Sequence, residues 1–178
     1  MSDITLVPMT AHDLELFIHT EILDCAESHV REGSWARREA LRLARDSLTT
    51  VTTWERQATA VECQRLWTAV TATGQHVGWL WVKLPPAGPW TGSAFLCQMT
   101  VRRELRHQGF GRGMLAALEA QLARDGLTEL RMNVWETNGP AKALYASAGY
   151  ALAHQFETMR QLRKLIGPAA DTELARAG

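Results

Sequence analysis

Arg106-His107-Gln108-Gly109-Phe110-Gly111-Arg112-Gly113 is the stretch that decides how this 178-residue chain reads. Before it lies Ala94–Val101 (AFLCQMTV), an apolar run of the length of a buried strand. After it Met114, Leu115, Leu118 and Leu122 recur at the spacing of one helix face. Glycines between a strand and a helix let the backbone turn tightly and bring its N–H groups close to a ligand. The first helical turn adds unpaired N–H groups and the positive end of the helix dipole, a combination that binds phosphate. Arg102, Arg103, Arg106 and Arg112 surround the turn with cations suited to phosphate oxygens. Two common phosphate loops do not fit. A P-loop requires G-x-x-x-x-G-K-[ST], and the chain has no Gly-Lys pair. A dinucleotide fingerprint requires G-x-G-x-x-G, and counting from Gly109 and Gly111 the third position is Met114. Taken alone, the stretch also fits a glycine-rich turn with no ligand.

Working outward, the N-terminal side opens with a short strand, Ile4–Val7. Thr10, with Asp13 three residues on, starts a helix through a variant capping box. Leu14, Phe17, Ile18, Ile22, Cys25 and Val30 keep helical spacing up to a stop at Gly33. A second helix is expected from Ser34 to about Leu48, and Thr49–Cys63 has no clear period. Arg65–Thr71 and His76–Leu84 read as strands around the turn Ala72–Gln75, and Pro85–Gly92 as a loop. On the C-terminal side the helix after the glycine loop ends at Gly126, and Leu130–Trp135 is a strand. Asn138 caps a further helix with Pro140 in its first turn and Gly149 just past its end. Tyr150–Leu162 holds one or two last strands, and the tail Gly167–Gly178 reads as disordered. The order β-α-α-β-β-β-α-β-α-β predicts one α/β (α+β) domain over residues 1–166, a mixed sheet with helices on both faces.

Composition bounds the partners. The formal net charge is zero with 21% charged residues, which argues against a nucleic-acid surface or a polybasic membrane patch. Cys25, Cys63 and Cys97 are odd in number and far apart. They point to a reducing compartment and away from a disulfide framework or a zinc site. Met1–Pro8 lacks the pattern of a signal peptide, and no run reaches the roughly 18 apolar residues of a membrane span. The expectation is a cytoplasmic chain with neither nucleic acid nor membrane as partner.

A second motif follows: Asn138-Gly139-Pro140-Ala141-Lys142-Ala143-Leu144-Tyr145-Ala146-Ser147-Ala148-Gly149-Tyr150. Singly its parts have plain readings, Asn138 as a helix cap and Tyr145 as a packed aromatic. Together with the loop they resemble the GNAT superfamily of N-acetyltransferases. Arg106, Gly109 and Gly111 match that family's R/Q-x-x-G-x-G/A coenzyme A loop. The second segment fills each position of its N-x-x-A-x-x-L-Y-x-x-x-G-[FY] pattern. The resemblance covers about 95–163; before that only the order of elements agrees.

The resemblance implies a mostly antiparallel GNAT sheet, acetyl-coenzyme A as cosubstrate and no metal. It implies a small-molecule or peptide amine as acceptor, and it allows a homodimer. It implies that the strands matching Ala94–Val101 and Leu130–Trp135 splay apart around the pantetheine arm. Backbone groups of Met99 and Val101 would pair with the pantetheine amides. Gln108, Gly109, Phe110, Gly111, Arg112 and Gly113 would hold the diphosphate with backbone N–H groups, and Arg106 and His107 would belong to the same cosubstrate-binding loop. Asn138 and Ala141 would contact the cosubstrate, and Tyr145 would point at its sulfur as general acid.

The reaction so implied is direct attack of a neutral amine on the thioester. A free alkylammonium titrates near about 10.4, so the amine must first lose a proton. Many relatives carry a carboxylate on the strand matching Ala94–Val101, but this chain offers Cys97, Gln98, Met99 and Thr100. Glu136 is the substitute base, with Glu27, His29 and Glu32 as further candidates; for each of them a solvated surface charge is the plainer reading. Trp35, Trp54, Trp79, Trp81, Trp90 and Trp135 are candidates for lining the acceptor site, with a core role as the alternative. The competing reading is a non-catalytic coenzyme A sensor, which would keep the loop but not need Tyr145.

Overall fold

The computed structural model describes residues 3–58, 63–84 and 92–167. In chain order its strands are β1 (Ile4–Pro8), β2 (Gln64–Thr71), β3 (His76–Lys83), β4 (Ser93–Val101), β5 (Glu129–Trp135), β6 (Ala151–Gln155) and β7 (Met159–Leu165). The helices are α1 (Ala11–Arg31), α2 (Arg37–Ala58), α3 (Phe110–Arg124) and α4 (Gly139–Ser147). The fold is mixed α/β, with one seven-stranded sheet in the order β1-β2-β3-β4-β5-β7-β6. Strands β4 and β5 run parallel, whereas β1/β2, β3/β4, β5/β7 and β6/β7 are antiparallel. The segment after Tyr150 forms two strands, so the element order ends in β-β.

The chain packs as two compact units, one being Met9–Gln64 and the other the chain before and after it. In the helical unit the capping box closes as the sequence suggests. The Asp13 backbone N–H donates to Thr10 Oγ1 at 3.1 Å, and the Thr10 N–H donates to Asp13 Oδ2 at 3.1 Å. Helix α1 gives way to Gly33, which takes φ +75°. Ala26, Ala40 and Ala44 are buried where α1 meets α2, flanked by Ile22, Cys25, Val30 and Trp35. Helix α2 continues past Leu48 to Ala58. Thr49, Thr50, Val51, Thr52 and Thr53 carry β-branched side chains, poor helix formers that hide the helix from a reading by period.

In the sheet unit α3 lays Met114, Leu115, Leu118 and Leu122 into the core, each 1% exposed or less. They meet Val77, Leu80, Val82, Leu96, Leu130 and Met132 from the central strands. Burying side chains of this size contributes about 1.5–3 kcal/mol each, so this face fixes α3 on the sheet. The loop expected at 85–91, the tail expected at 168–178, Trp90 and the side chain of Trp54 lie outside the described residues.

Candidate active site

Strands β4 and β5 pair only at their beginnings, over Ser93↔Glu129, Ala94↔Leu130, Phe95↔Arg131 and Leu96↔Met132. Beyond Leu96, β4 stays paired with β3 as far as Val101↔Gly78. Beyond Met132, β5 stays paired with β7 as far as Trp135↔Met159. Each strand is held on its outer edge while the ladder between them stops, which leaves a wedge. The β3/β4 register shifts here: Trp81 pairs with Gln98 but Val82 with Leu96, leaving Cys97 as an extra residue on β4. A bulge of this kind bends its strand and sharpens the twist, and so turns the second half of β4 away from β5. At the closed end Ser93 Oγ donates to Glu129 Oε2 at 2.6 Å, pinning the two strands together.

Backbone direction along β4 follows from its neighbours. The Val101 carbonyl accepts from Arg106 Nε at 3.0 Å, so it faces away from β3. The Thr100 carbonyl faces β3, since a Cβ on Gly78 would lie 2.2 Å from it. By the alternation of a strand, the backbone groups of Met99 lie on the same side as those of Val101, toward the wedge. Arg106 thus spends its Nε on the strand end.

The chain then passes a short 3-10 turn, Arg103–Leu105, and enters the glycine loop. His107 takes φ +62° and Gly109 φ +87°. His107 is the only non-glycine with positive φ among the described residues. Turns that hold residues at positive φ reverse the backbone sharply and are the kind of turn from which anion-binding nests are built. Gly109 is the N-cap of α3 and offers no side chain to the first turn. The Gly109 carbonyl accepts from the Arg112 and Gly113 N–H groups at 3.1 and 3.3 Å, so the N–H groups left to a ligand at this helix start are those of Gly109, Phe110 and Gly111. Gly111 serves a different purpose: a Cβ there would lie 3.3 Å from Leu144 Cδ2 and 3.7 Å from Val101 Cγ2. Its missing side chain lets α3 approach α4 and β4, and does not point into the loop. Arg112 turns to α4 as well, donating to Ser147 Oγ at 2.6 Å. Phe110 is packed at the rim of the core, and Gln108 Nε2 donates to the Glu104 carbonyl at 3.1 Å.

Helix α4 begins where β5 ends. Asn138 Oδ1 accepts from the Ala141 N–H at 3.1 Å, and Pro140 occupies the first turn. Asn138 is therefore a helix cap in the structure, and Ala141 and Leu144 pack on the core. Tyr145 is 8% exposed, and its ring meets Tyr150 edge-on at 5.8 Å. Burial pushes its phenol up to about 12. No hydrogen bond to its hydroxyl forms among the described residues.

Glu136 sits between β5 and α4. It is bound by Lys142 Nζ at 2.8 Å, by Arg160 Nε and by Gln155 Nε2 at 3.2 Å. The hydrogen bond from Lys142 first, then that from Arg160, holds its carboxyl down to about 2. A carboxylate so acidic is a poor acceptor of an ammonium proton. In the helical unit His29 stacks on Trp35 with ring centroids 3.8 Å apart, and its Nδ1 meets Ser34 Oγ at 2.8 Å. Ser28 Oγ donates to Glu32 at 3.4 Å. Trp79 is buried, Trp81 half-buried and Trp135 56% exposed. Among the described residues no cluster of His, Cys, Asp and Glu could hold a metal ion, and no helix is long and apolar enough to cross a membrane.

The parting of two parallel strands, a positive-φ turn at the start of α3 and a buried tyrosine on α4 are the features of this half of the chain. Residues 28–150 match the acetyltransferase (GNAT) family. The chain belongs to that family. An uncharacterized GNAT relative, the N-acetyltransferase YycN of Bacillus subtilis (strain 168), is 25% identical over 147 residues, spanning 83% of this chain and 92% of that one. The crystal structure of YycN superposes with a TM-score of 0.72 at 24% identity, over 87% of this chain and 96% of YycN. The PaiA N-acetyltransferase of Thermoplasma acidophilum, solved with coenzyme A, has a TM-score of 0.70 at 16% identity, over 92% and 99% of the two chains. Spermidine N-acetyltransferase of Vibrio cholerae, solved with coenzyme A and spermine, has a TM-score of 0.63 at 15% identity, over 92% and 96%.

Two residues with structural roles in the sheet unit escaped the sequence reading. Gly78 reads as an ordinary glycine in a strand, yet it holds the β4 backbone close. Glu119 reads as a polar position on α3, yet it binds Tyr150 and Lys164 behind Tyr145. A glycine inside a strand does signal close backbone approach, so Gly78 could have been found.

Proposed function

We propose that the chain transfers the acetyl group of acetyl-coenzyme A to a primary amine of a small molecule or peptide by direct attack. The observation that carries this reading is the parting of β4 and β5 beyond Leu96 and Met132, together with the positive-φ turn at His107 and Gly109 that opens α3. The residues present suit the cosubstrate: N–H groups of 108–111 for a diphosphate, and backbone groups of Met99 and Val101 for the pantetheine amides. Acetyl-coenzyme A supplies the activated acyl group. The β4 backbone near Val101 supplies a fixed donor for the carbonyl oxygen, where preorganised donors count most. Tyr145 keeps its proton at Oη throughout the working pH range, ready for the departing sulfur. With no carboxylate on the second half of β4 and Glu136 tied up by Lys142, Arg160 and Gln155, the amine reacts as its neutral fraction, its proton passed along water to bulk solvent. Glu136 then acts in placing α4 against β5 and β7.

The absence of a carboxylate on β4 also favours a second reading, a coenzyme A sensor without turnover. One assay separates the two: thiol release from acetyl-coenzyme A with spermidine and an alanine-terminated peptide among the amines offered. With an acceptor that makes chemistry rate-limiting, Tyr145→Phe should lower kcat by roughly 10²-fold at nearly unchanged cosubstrate affinity. Wild-type turnover in Tyr145→Phe removes the residue from the reaction, and tight cosubstrate binding with no amine acetylated favours the sensor.

A further inference from the structure

Behind Tyr145 lies a cluster that neither the loop nor the wedge uses. Glu119, on the side of α3 that borders the core, has both carboxylate oxygens occupied. Oε1 accepts from the Tyr150 hydroxyl at 2.9 Å, and Oε2 accepts from Lys164 Nζ at 2.7 Å. The Lys164 ammonium also stands 5.7 Å from the centroid of the Tyr150 ring, within cation–π range. Tyr150 is thus held at its hydroxyl, at its ring face and at its backbone N–H, which donates to the Tyr145 carbonyl at 3.0 Å. It is 7% exposed, and its edge-on neighbour is Tyr145. The Tyr145 ring has no such tether of its own. Gly149, at φ +86°, makes the reversal that brings the two rings together.

We propose that Glu119 is a positioning residue, which fixes the Tyr145 ring through Tyr150 and with it the place of the Tyr145 hydroxyl. This rests on the reading of Tyr145 as the group that meets the thioester sulfur. The physical need is clear: a proton donor acts only within about 0.5 Å of its productive position, and side chains behind the site must lock its rotamer. Aromatic pairs prefer an edge-on geometry, so a fixed Tyr150 presents one seat to Tyr145. A carboxylate joined to α3, to the chain after α4 and to β7 ties that seat to three parts of the sheet unit at once.

Tyr145 and Tyr150 are the only tyrosines in the chain, so the full-length protein labelled with ¹³C-tyrosine gives two ring environments. Tyr150→Phe assigns them, and it also deletes the hydroxyl bond to Glu119 while keeping the ring. In the wild type, saturating acetyl-coenzyme A should shift the Tyr145 resonance. In Glu119→Ala, and to a lesser degree in Tyr150→Phe, the Tyr145 resonance without ligand should move toward the unfolded position and broaden. Its response to acetyl-coenzyme A should be lost or much reduced, in a protein that melting curves show to be folded. If Glu119→Ala does not fold, Tyr150→Phe carries the test. An unchanged Tyr145 resonance with an unchanged response in the folded variants overturns the proposal and leaves the role of Tyr145 standing. A wild-type Tyr145 resonance indifferent to acetyl-coenzyme A, in a protein whose Tm that ligand raises, overturns both.

Discussion

Gly78→Ala tests whether the second half of β4 is placed by its pairing with β3. A Cβ at Gly78 would lie 2.2 Å from the Thr100 carbonyl, and 3.0 and 3.1 Å from the Met114 Cε and Sδ. The methionine can swing aside, but the carbonyl is backbone, so the strand itself must move. Overpacking a core costs roughly 1–3 kcal/mol, and with backbone as the obstacle the upper end, about 3 kcal/mol, applies. A chain of this size loses about 2–4 °C per kcal/mol, so Tm should fall by about 6–12 °C. Because Gly78 faces Val101 in the register, the shift reaches the wedge. Acetyl-coenzyme A binding measured by calorimetry should then weaken by about tenfold or more, or about 1.4 kcal/mol. Gly74→Ala is the control. It has no atom within 4 Å of its Cβ but sits at φ +79°. Strain of about 1–2 kcal/mol should lower its Tm and leave cosubstrate affinity as it was. If Gly78→Ala melts with the wild type and binds equally well, the close approach of β3 and β4 is not as described.

Two further predictions concern charge. Gln108→Glu places a carboxylate beside the nest and the start of α3, where it competes for the same N–H groups as the diphosphate. Acetyl-coenzyme A affinity should drop about tenfold at low salt, with Tm unchanged or slightly raised by the helix dipole; equal affinity by calorimetry would move the phosphate site elsewhere. Glu136 has its carboxyl lowered from 4.5 to about 2 by its bonds to Lys142 and Arg160. A lowered carboxyl stabilises the fold above its unfolded value and loses that contribution as pH falls through the folded value. The wild type should therefore lose stability between about pH 4.5 and pH 2 more steeply than Glu136→Gln, and parallel acid-denaturation curves would count against the ion pairs.

Most of the fold was legible because its signals are local. The capping box at Thr10, the four-residue apolar face of α3 and the Asn138–Pro140 start of α4 each lie within a few residues of one another. Strand β4 was legible as an apolar run, and the two motifs that follow it identified the family. What stayed hidden depends on pairings between distant residues. The Cys97 bulge exists only in register against Trp81 and Val82. Glu119 gains meaning from Tyr150 and Lys164, 31 and 45 residues away. Glu136 was read as a base because a carboxylate after β5 has the right chemistry, yet two cations from α4 and β7 take up that carboxylate. Gly111 was read for the backbone N–H it offers a diphosphate, and its lack of a side chain also leaves room for Leu144 and Val101. The second half of α2 went unread because its β-branched run speaks against the helix it forms.

The central claim, a site built for a coenzyme A thioester, is tested most directly by ligand-dependent melting of the wild-type chain. A ligand that binds only the folded state adds about 2.7 kcal/mol at one hundred times its Kd, which for this size is about 5–11 °C in Tm. The loop lacks both the lysine of a P-loop and the third glycine of a dinucleotide fingerprint. Acetyl-coenzyme A should accordingly raise Tm by several degrees, and ATP and NAD at equal concentration by clearly less. A shift with NAD or ATP that equals or exceeds the shift with acetyl-coenzyme A would contradict the account.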